Sequence, residues 1–206
     1  MEGGTMESYM NRISNTGIVP VVKILEKEDA YPLAKALLNG GIDVIEVTYR
    51  SEHATSAIQT ISEQLPDMLV GAGTVLSVEQ AKEAVEAGAK FIITPGFNTK
   101  VVQWCLDHDV EVYPGVSTAS EVEMALSMGL TQLKFFPAES SGGAKKLKDL
   151  SAPYANVHFM PTGGINTKNM HDYLSLPNVE AIGGSFMLPN DLVVAKDWDG
   201  IEALSK

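Results

Sequence analysis

Residues 133–139 read LKFFPAE, a single ammonium group set in an otherwise apolar run. Burial disfavours the charged form of a lysine, and a neutral amine can attack a carbonyl to form a Schiff base. Residues 44–50, VIEVTYR, carry two more groups fit for acid–base work, Glu46 and Arg50. A second kind of chemistry is offered by two Gly-Gly turns, TGGI at 162–165 and IGGSF at 182–186. Glycine lets backbone N–H groups come close to an anion, so Gly163, Gly164, Gly183 and Gly184 are candidate phosphate ligands, with Thr162 and Ser185 as hydroxyl donors. Each feature has a plainer reading. Lys134 could snorkel, its stem buried and its head in water, as Lys23 in VVKIL is expected to do at a rim. The glycine pairs could be tight turns and nothing more. His53, His108, His158 and His171 show no HxH or HxxxH spacing, so a metal-dependent aldol reaction finds no support and no metal or cofactor is expected. Trp104 and Cys105 read as helix packing, Asp107 to Asp109 as a solvated helix end, and the nine methionines as core filler.

These residues need elements to hold them. A short β-branched or glycine-rich run recurs at 17–24, 44–50, 69–75, 91–96, 111–116, 132–138, 157–163 and 179–186. Helical text fills the gaps. Residues 28–41 carry a stripe at Leu33, Ala34, Leu37 and Leu38. Ser77 with Gln80 and Thr118 with Glu121 make capping-box patterns, ended by Gly88 and Gly129. Weaker helices are expected at 54–65, 99–108, 143–150 and 167–175. Alternating βα units mean a parallel sheet, and eight of them suggest closure into a barrel. The expected fold is therefore α/β: a single (β/α)8 TIM barrel over residues 1–206 with a short N-terminal helix and, for so short a chain, tight loops. An open nucleotide-binding sheet would want a full GxGxxG, and GAGTVL at 71–76 stops short of it.

Strand periodicity then sorts the side chains. Glu46, Thr48 and Arg50 share one face, opposite Ile45, Val47 and Tyr49; Lys134 and Phe136 share a face opposite Leu133 and Phe135. With the polar faces turned inward, Glu46, Arg50 and Lys134 surround one cavity near the C-terminal rim, where such barrels do their chemistry. The glycine pairs fall after strands seven and eight, a frequent phosphate position.

Composition excludes other classes. A net charge of −11 disfavours a nucleic-acid partner and gives no global steering of an anionic substrate, so a phosphate must be held by local groups. No apolar run approaches the roughly 20 residues of a membrane span. The start, MEGGTMESYMNRIS, lacks a basic stretch followed by a greasy one, and the single cysteine forms no internal disulfide; the expected compartment is the cytoplasm.

Seven stretches occur in a telling order: IEVTYRS (45–51), VGAGTVLS (70–77), ITPGFN (93–98), YPGVSTASE (113–121), LKFFPAE (133–139), PTGGI (161–165) and IGGS (182–185). Together they resemble the 2-keto-3-deoxy-6-phosphogluconate (KDPG) aldolases, many of which also act on 4-hydroxy-2-oxoglutarate (KHG). The resemblance runs from about residue 12 to 190. It implies a class I aldolase on a (β/α)8 barrel, a homotrimer, acting on a phosphorylated 2-keto-4-hydroxy acid. By matching position it implies Lys134 as the Schiff-base lysine and Glu46 as the general acid–base. Arg50 would grip the pyruvyl carboxylate, Thr74 and Pro95 would line the pocket, and Phe136 would form a wall. The glycines of TGGI and IGGS, with Ser185, would hold the phosphate. The chain departs from the family pattern at Tyr49 and Ser51 and in GFNTK, which leaves the substrate preference open. A related galactonate branch lacks the strand-two arginine, so Arg50 favours the gluconate branch. The residues alone leave two rivals: a phosphate-binding barrel that isomerises or condenses sugar phosphates without an imine, and a barrel that only binds a phosphorylated metabolite.

Overall fold

Eight short runs of β-branched and glycine residues form eight parallel strands, each rising into a helix that returns over the outside. The computed structural model describes residues 8–206; the start of the N-terminal stretch considered above lies outside them. The strands are β1 Ile18–Val22, β2 Val44–Thr48, β3 Leu69–Gly73, β4 Phe91–Thr94, β5 Glu111–Val116, β6 Gln132–Phe135, β7 His158–Pro161 and β8 Ile182–Gly184. Their order is β7-β6-β5-β4-β3-β2-β1-β8, and bridges Phe159 to Val179 and Thr162 to Gly183 join the two ends. The result is the expected (β/α)8 barrel. The helices are α1 Tyr9–Thr16, α2 Ala30–Asn39, α3 Ala54–Gln64, α4 Val78–Glu86, α5 Thr99–Asp107, α6 Ala119–Ser127, α7 Gly143–Ser151, α8 Met170–Leu174, α9 Asn190–Ala195 and α10 Trp198–Ser205.

Alternation along the strands produces two separate cores. Ile45, Val47, Val70, Ala72, Ile92 and Val112 point outward and pack under the helices. Val19, Val44, Leu69, Phe91, Tyr113 and Met160 point inward and fill the lower barrel. The short N-terminal helix closes that lower end, inserting Met10 and Ile13 among them. It is tied down by Arg12 Nε on Asp43 Oδ2 at 2.7 Å and by Thr16 Oγ1 on Asp43 Oδ1 at 2.6 Å. With its floor filled, the barrel interior leaves room for a ligand at the C-terminal rim.

Some boundaries differ from the sequence reading. β3 stops at Gly73 because Thr74 turns the chain with φ of 53°, and β6 and β8 are also shorter than expected. The helix expected at 167–175 is reduced to α8. The Thr118–Glu121 capping box is complete, whereas the Gln80 side chain accepts from Leu76 N rather than from Ser77 N. Helices α9 and α10 were not foreseen. Asp197 caps α10 through Gly200 N at 2.9 Å, and the helix lies so close to α2 that a Cβ on Gly40 would sit 2.4 Å from Ser205 Cβ.

Candidate active site

Strand β6 hydrogen-bonds between β5 and β7, which sets Lys134 beside Gly115 and Met160. Strand β2 lies on the opposite side of the barrel and presents Glu46 inward. The two side chains meet across the interior: Lys134 Nζ is 3.3 Å from Glu46 Oε1. Both are buried, at 4% and 0% exposure, so Lys134 does not snorkel. The Phe136 ring lies 5.2 Å from the ammonium and gives it an aromatic face. Glu46 Oε2 has no hydrogen-bond partner in its buried position.

Small neighbours make this meeting possible. A Cβ on Gly73 would fall 1.9 Å from Glu46 Oε1, and one on Gly71 would fall 2.0 Å from the Phe91 ring. Above Leu69 the inward face of β3 is therefore bare backbone at Gly71 and Gly73, with Phe91 filling the space beside the first and Glu46 that beside the second.

Above the pair opens a cavity of about 290 Å³. Every expected site residue except Glu46 lines it: Lys134, Arg50, Thr74, Pro95, Phe136, Thr162, Gly163, Gly164, Gly183, Gly184 and Ser185. Glu46 lies behind the wall, touching the cavity through Lys134. Arg50 stands just past the end of β2, exposed, with its Nε donating to Thr48 Oγ1 at 3.0 Å. Thr48 Oγ1 in turn donates to Val22 O at 2.7 Å, which fixes that acceptor. Thr74 holds its positive φ at the rim, a conformation that costs about 1–3 kcal/mol in a residue other than glycine. Gly163 and Gly164, also in the lining, have φ of 107° and 78°. Gly183 approaches Thr162 so closely that a Cβ there would meet Thr162 Oγ1 at 2.2 Å, and that hydroxyl is buried without a partner.

Sequence reasoning missed Val21 and Ile165, which also line the cavity. Val21 was within reach, because it shares strand parity with inward-facing Val19. Tyr49 packs outward as expected; burial, against a hydrogen bond from Thr55, raises its hydroxyl pKa. Lys23 is exposed and shares with Arg50 two hollows beside the main cavity, again as expected. Among the described residues no group of three or more His, Cys, Asp or Glu could hold a metal ion, and no helix is long and apolar enough to cross a membrane.

This fold, with an amine at its centre, is that of a class I aldolase. The chain belongs to the KDPG and KHG aldolase family, which it matches over residues 9–204. It is 45% identical to the 2-dehydro-3-deoxy-phosphogluconate aldolase of Treponema pallidum, across 98% of this chain and 96% of that one. It is 44% identical to the KHG/KDPG aldolase of Escherichia coli K12, across 94% and 92% of the two chains. Among solved structures, a KDPG aldolase from Legionella pneumophila holding pyruvate as a covalent carbinolamine superposes with a TM-score of 0.93, at 40% identity and 97% coverage of each chain.

Proposed function

We propose that this chain cleaves 2-dehydro-3-deoxy-6-phosphogluconate to pyruvate and glyceraldehyde 3-phosphate, and 4-hydroxy-2-oxoglutarate to pyruvate and glyoxylate, with Lys134 as the imine-forming amine. One observation carries the assignment: a lysine at 4% exposure stands 3.3 Å from a buried carboxylate, in the wall of a cavity that two glycine turns also line. Lys134 Nζ adds to the C2 ketone. The carbinolamine loses water, with Glu46 moving the protons, and an iminium results. Glu46, acting through a water because it stands behind the cavity wall, takes the C4 hydroxyl proton as the C3–C4 bond breaks, and the electron pair flows into the iminium. The aldehyde leaves and an enamine remains. Protonation at C3 and hydrolysis then release pyruvate and free the amine. The partnerless Glu46 Oε2 is an oxygen available for this proton traffic. Arg50, in the cavity lining with Thr74 and Pro95, offers a forked donor to the substrate carboxylate. The turns at Gly163–Gly164 and Gly183–Gly184, with Thr162 and Ser185, take the phosphate. Arg50 supports the gluconate rather than the galactonate substrate.

Borohydride reduction in the presence of pyruvate tests the assignment. The expected result is permanent label on the peptide containing Lys134; a labelled protein with that peptide untouched refutes it. The same proposal includes a single domain, a homotrimer and a cytoplasmic setting. Family membership supports the trimer, and a lone buried thiol suits a reducing compartment. A light-scattering mass of three chains is expected.

A further inference from the structure

The turn Gly163–Gly164 is made of two glycines at positive φ, the residue type with the most conformational freedom to lose. Such a turn keeps its N–H groups in place only if its surroundings hold it. The segment that follows β6 does so from one side. Ala138 N donates to Thr162 O at 2.8 Å and Glu139 N donates to Gly163 O at 3.1 Å. The Glu139 side chain then lies flat on the next residue, so that a Cβ on Gly164 would meet Glu139 Cγ at 2.7 Å. From the other side, Asn166 Nδ2 and Asn169 Nδ2 donate to Gly164 O at 3.3 and 3.1 Å.

One bond locks this arrangement. The Tyr173 hydroxyl, on α8, donates to Glu139 Oε1. Tyr173 is 1% exposed, and burial with the nearby Glu139 carboxylate raises its pKa, so it stays a donor. Glu139 does not line the cavity although it is exposed and only five residues from Lys134; the bond holds its negative charge away from the anion site.

We infer that Glu139, locked by Tyr173, is a positioning residue that sets the Gly163–Gly164 turn at a fixed distance from Lys134 and thereby determines the preference for a phosphorylated substrate. The inference rests on the assignment of that turn as a phosphate site. Strand β6 carries the amine, and its continuation carries Glu139, so amine and anion site are joined by one rigid segment. Releasing Glu139 loosens the turn and frees a carboxylate beside the phosphate, while leaving the ketone end of the cavity as it was.

The test compares KDPG with unphosphorylated 4-hydroxy-2-oxoglutarate in wild type, Tyr173→Phe and Glu139→Gln. Tyr173→Phe is expected to raise KM for KDPG about tenfold, the scale of a hydrogen bond to a charged group. Its kcat for both substrates and its KM for the unphosphorylated one stay within about twofold of wild type. Glu139→Gln keeps an oxygen acceptor for Tyr173 and retains the preference. Because Glu139 is exposed, Glu139→Ala keeps the test open should Tyr173→Phe not fold: it removes the brace without freeing a carboxylate and is expected to raise KM for KDPG several-fold with kcat held. Equal losses on both substrates, or no loss on either, overturn the inference, as does a Glu139→Gln variant as impaired as Tyr173→Phe. A wild-type enzyme with no preference for KDPG refutes the phosphate site itself and is thereby distinguished from failure of the brace alone.

Discussion

Gly73→Ala adds one methyl group to the inner wall of the barrel, and the structure states where it must go. An ideal Cβ lies 1.9 Å from Glu46 Oε1, 2.5 Å from Cδ and 2.5 Å from Cγ. Because Cγ is struck as well as the carboxylate, a rotation at the end of the side chain does not relieve the clash. Ordinary contact begins at 3.4 Å, so the carboxylate must withdraw by 3.4 − 1.9, about 1.5 Å. Strand β3 cannot yield instead, being hydrogen-bonded to β2 and β4 on its two sides. The 3.3 Å contact with Lys134 is then lost. A misplacement of about 1 Å in a reacting group costs roughly 10²-fold, and acid–base help as a whole is worth about 10²–10⁴-fold. The expected kcat is therefore lower by 10²–10⁴-fold, with overpacking costing about 1–3 kcal/mol of stability. Pyruvate release measured by coupling to lactate dehydrogenase reads the first quantity and urea unfolding the second. Gly71→Ala, which strikes the Phe91 ring one layer below, should lower stability with far less effect on kcat. Gly96→Ala meets nothing within 4 Å and is the neutral control. A folded Gly73→Ala enzyme with wild-type kcat would refute the requirement for Glu46 at this position.

Two further outcomes follow from the buried and bonded groups. Burial pushes the Cys105 thiol up to about 12, so the native protein should resist a disulfide reagent at mildly alkaline pH and react at once in denaturant; rapid labelling of the folded protein would contradict the burial. Burial opposes ionisation of Asp43, but hydrogen bonds from Thr16 and Arg12 outweigh it and hold its carboxyl below 3.8. A carboxylate with a depressed value contributes stability above its unfolded value and loses it as pH falls through the folded one. Thr16→Val should therefore lower the melting temperature at neutral pH and have less effect in strong acid; an equal loss at both would show that the ionised Asp43 is not what anchors α1.

How much of this was readable in the chain depends on the range of the interaction. The eight strands were legible because β-branched runs and glycine stops act over a few residues. Their ends were less so, since the stop of β3 depends on Thr74 accepting a positive φ that its residue type disfavours. Helix α10 was missed although Asp197 caps it, because it returns to pack on α2 and its periodicity alone is short. The inward parity of Glu46, Lys134 and Phe136 was legible from alternation, and Val21 could have been found the same way.

The sequence by itself determined the order of βα units, which face each side chain would take, and the family to which the motifs belong. Those follow from the two-residue period of a strand and from local turn chemistry, which need no distant partner. Only the tertiary structure decided that residues 88 positions apart meet at 3.3 Å, that Gly71 and Gly73 leave space for Phe91 and Glu46, and that Tyr173 reaches Glu139. These distances depend on the tilt and register of eight strands closing together, so no single stretch of chain contains them.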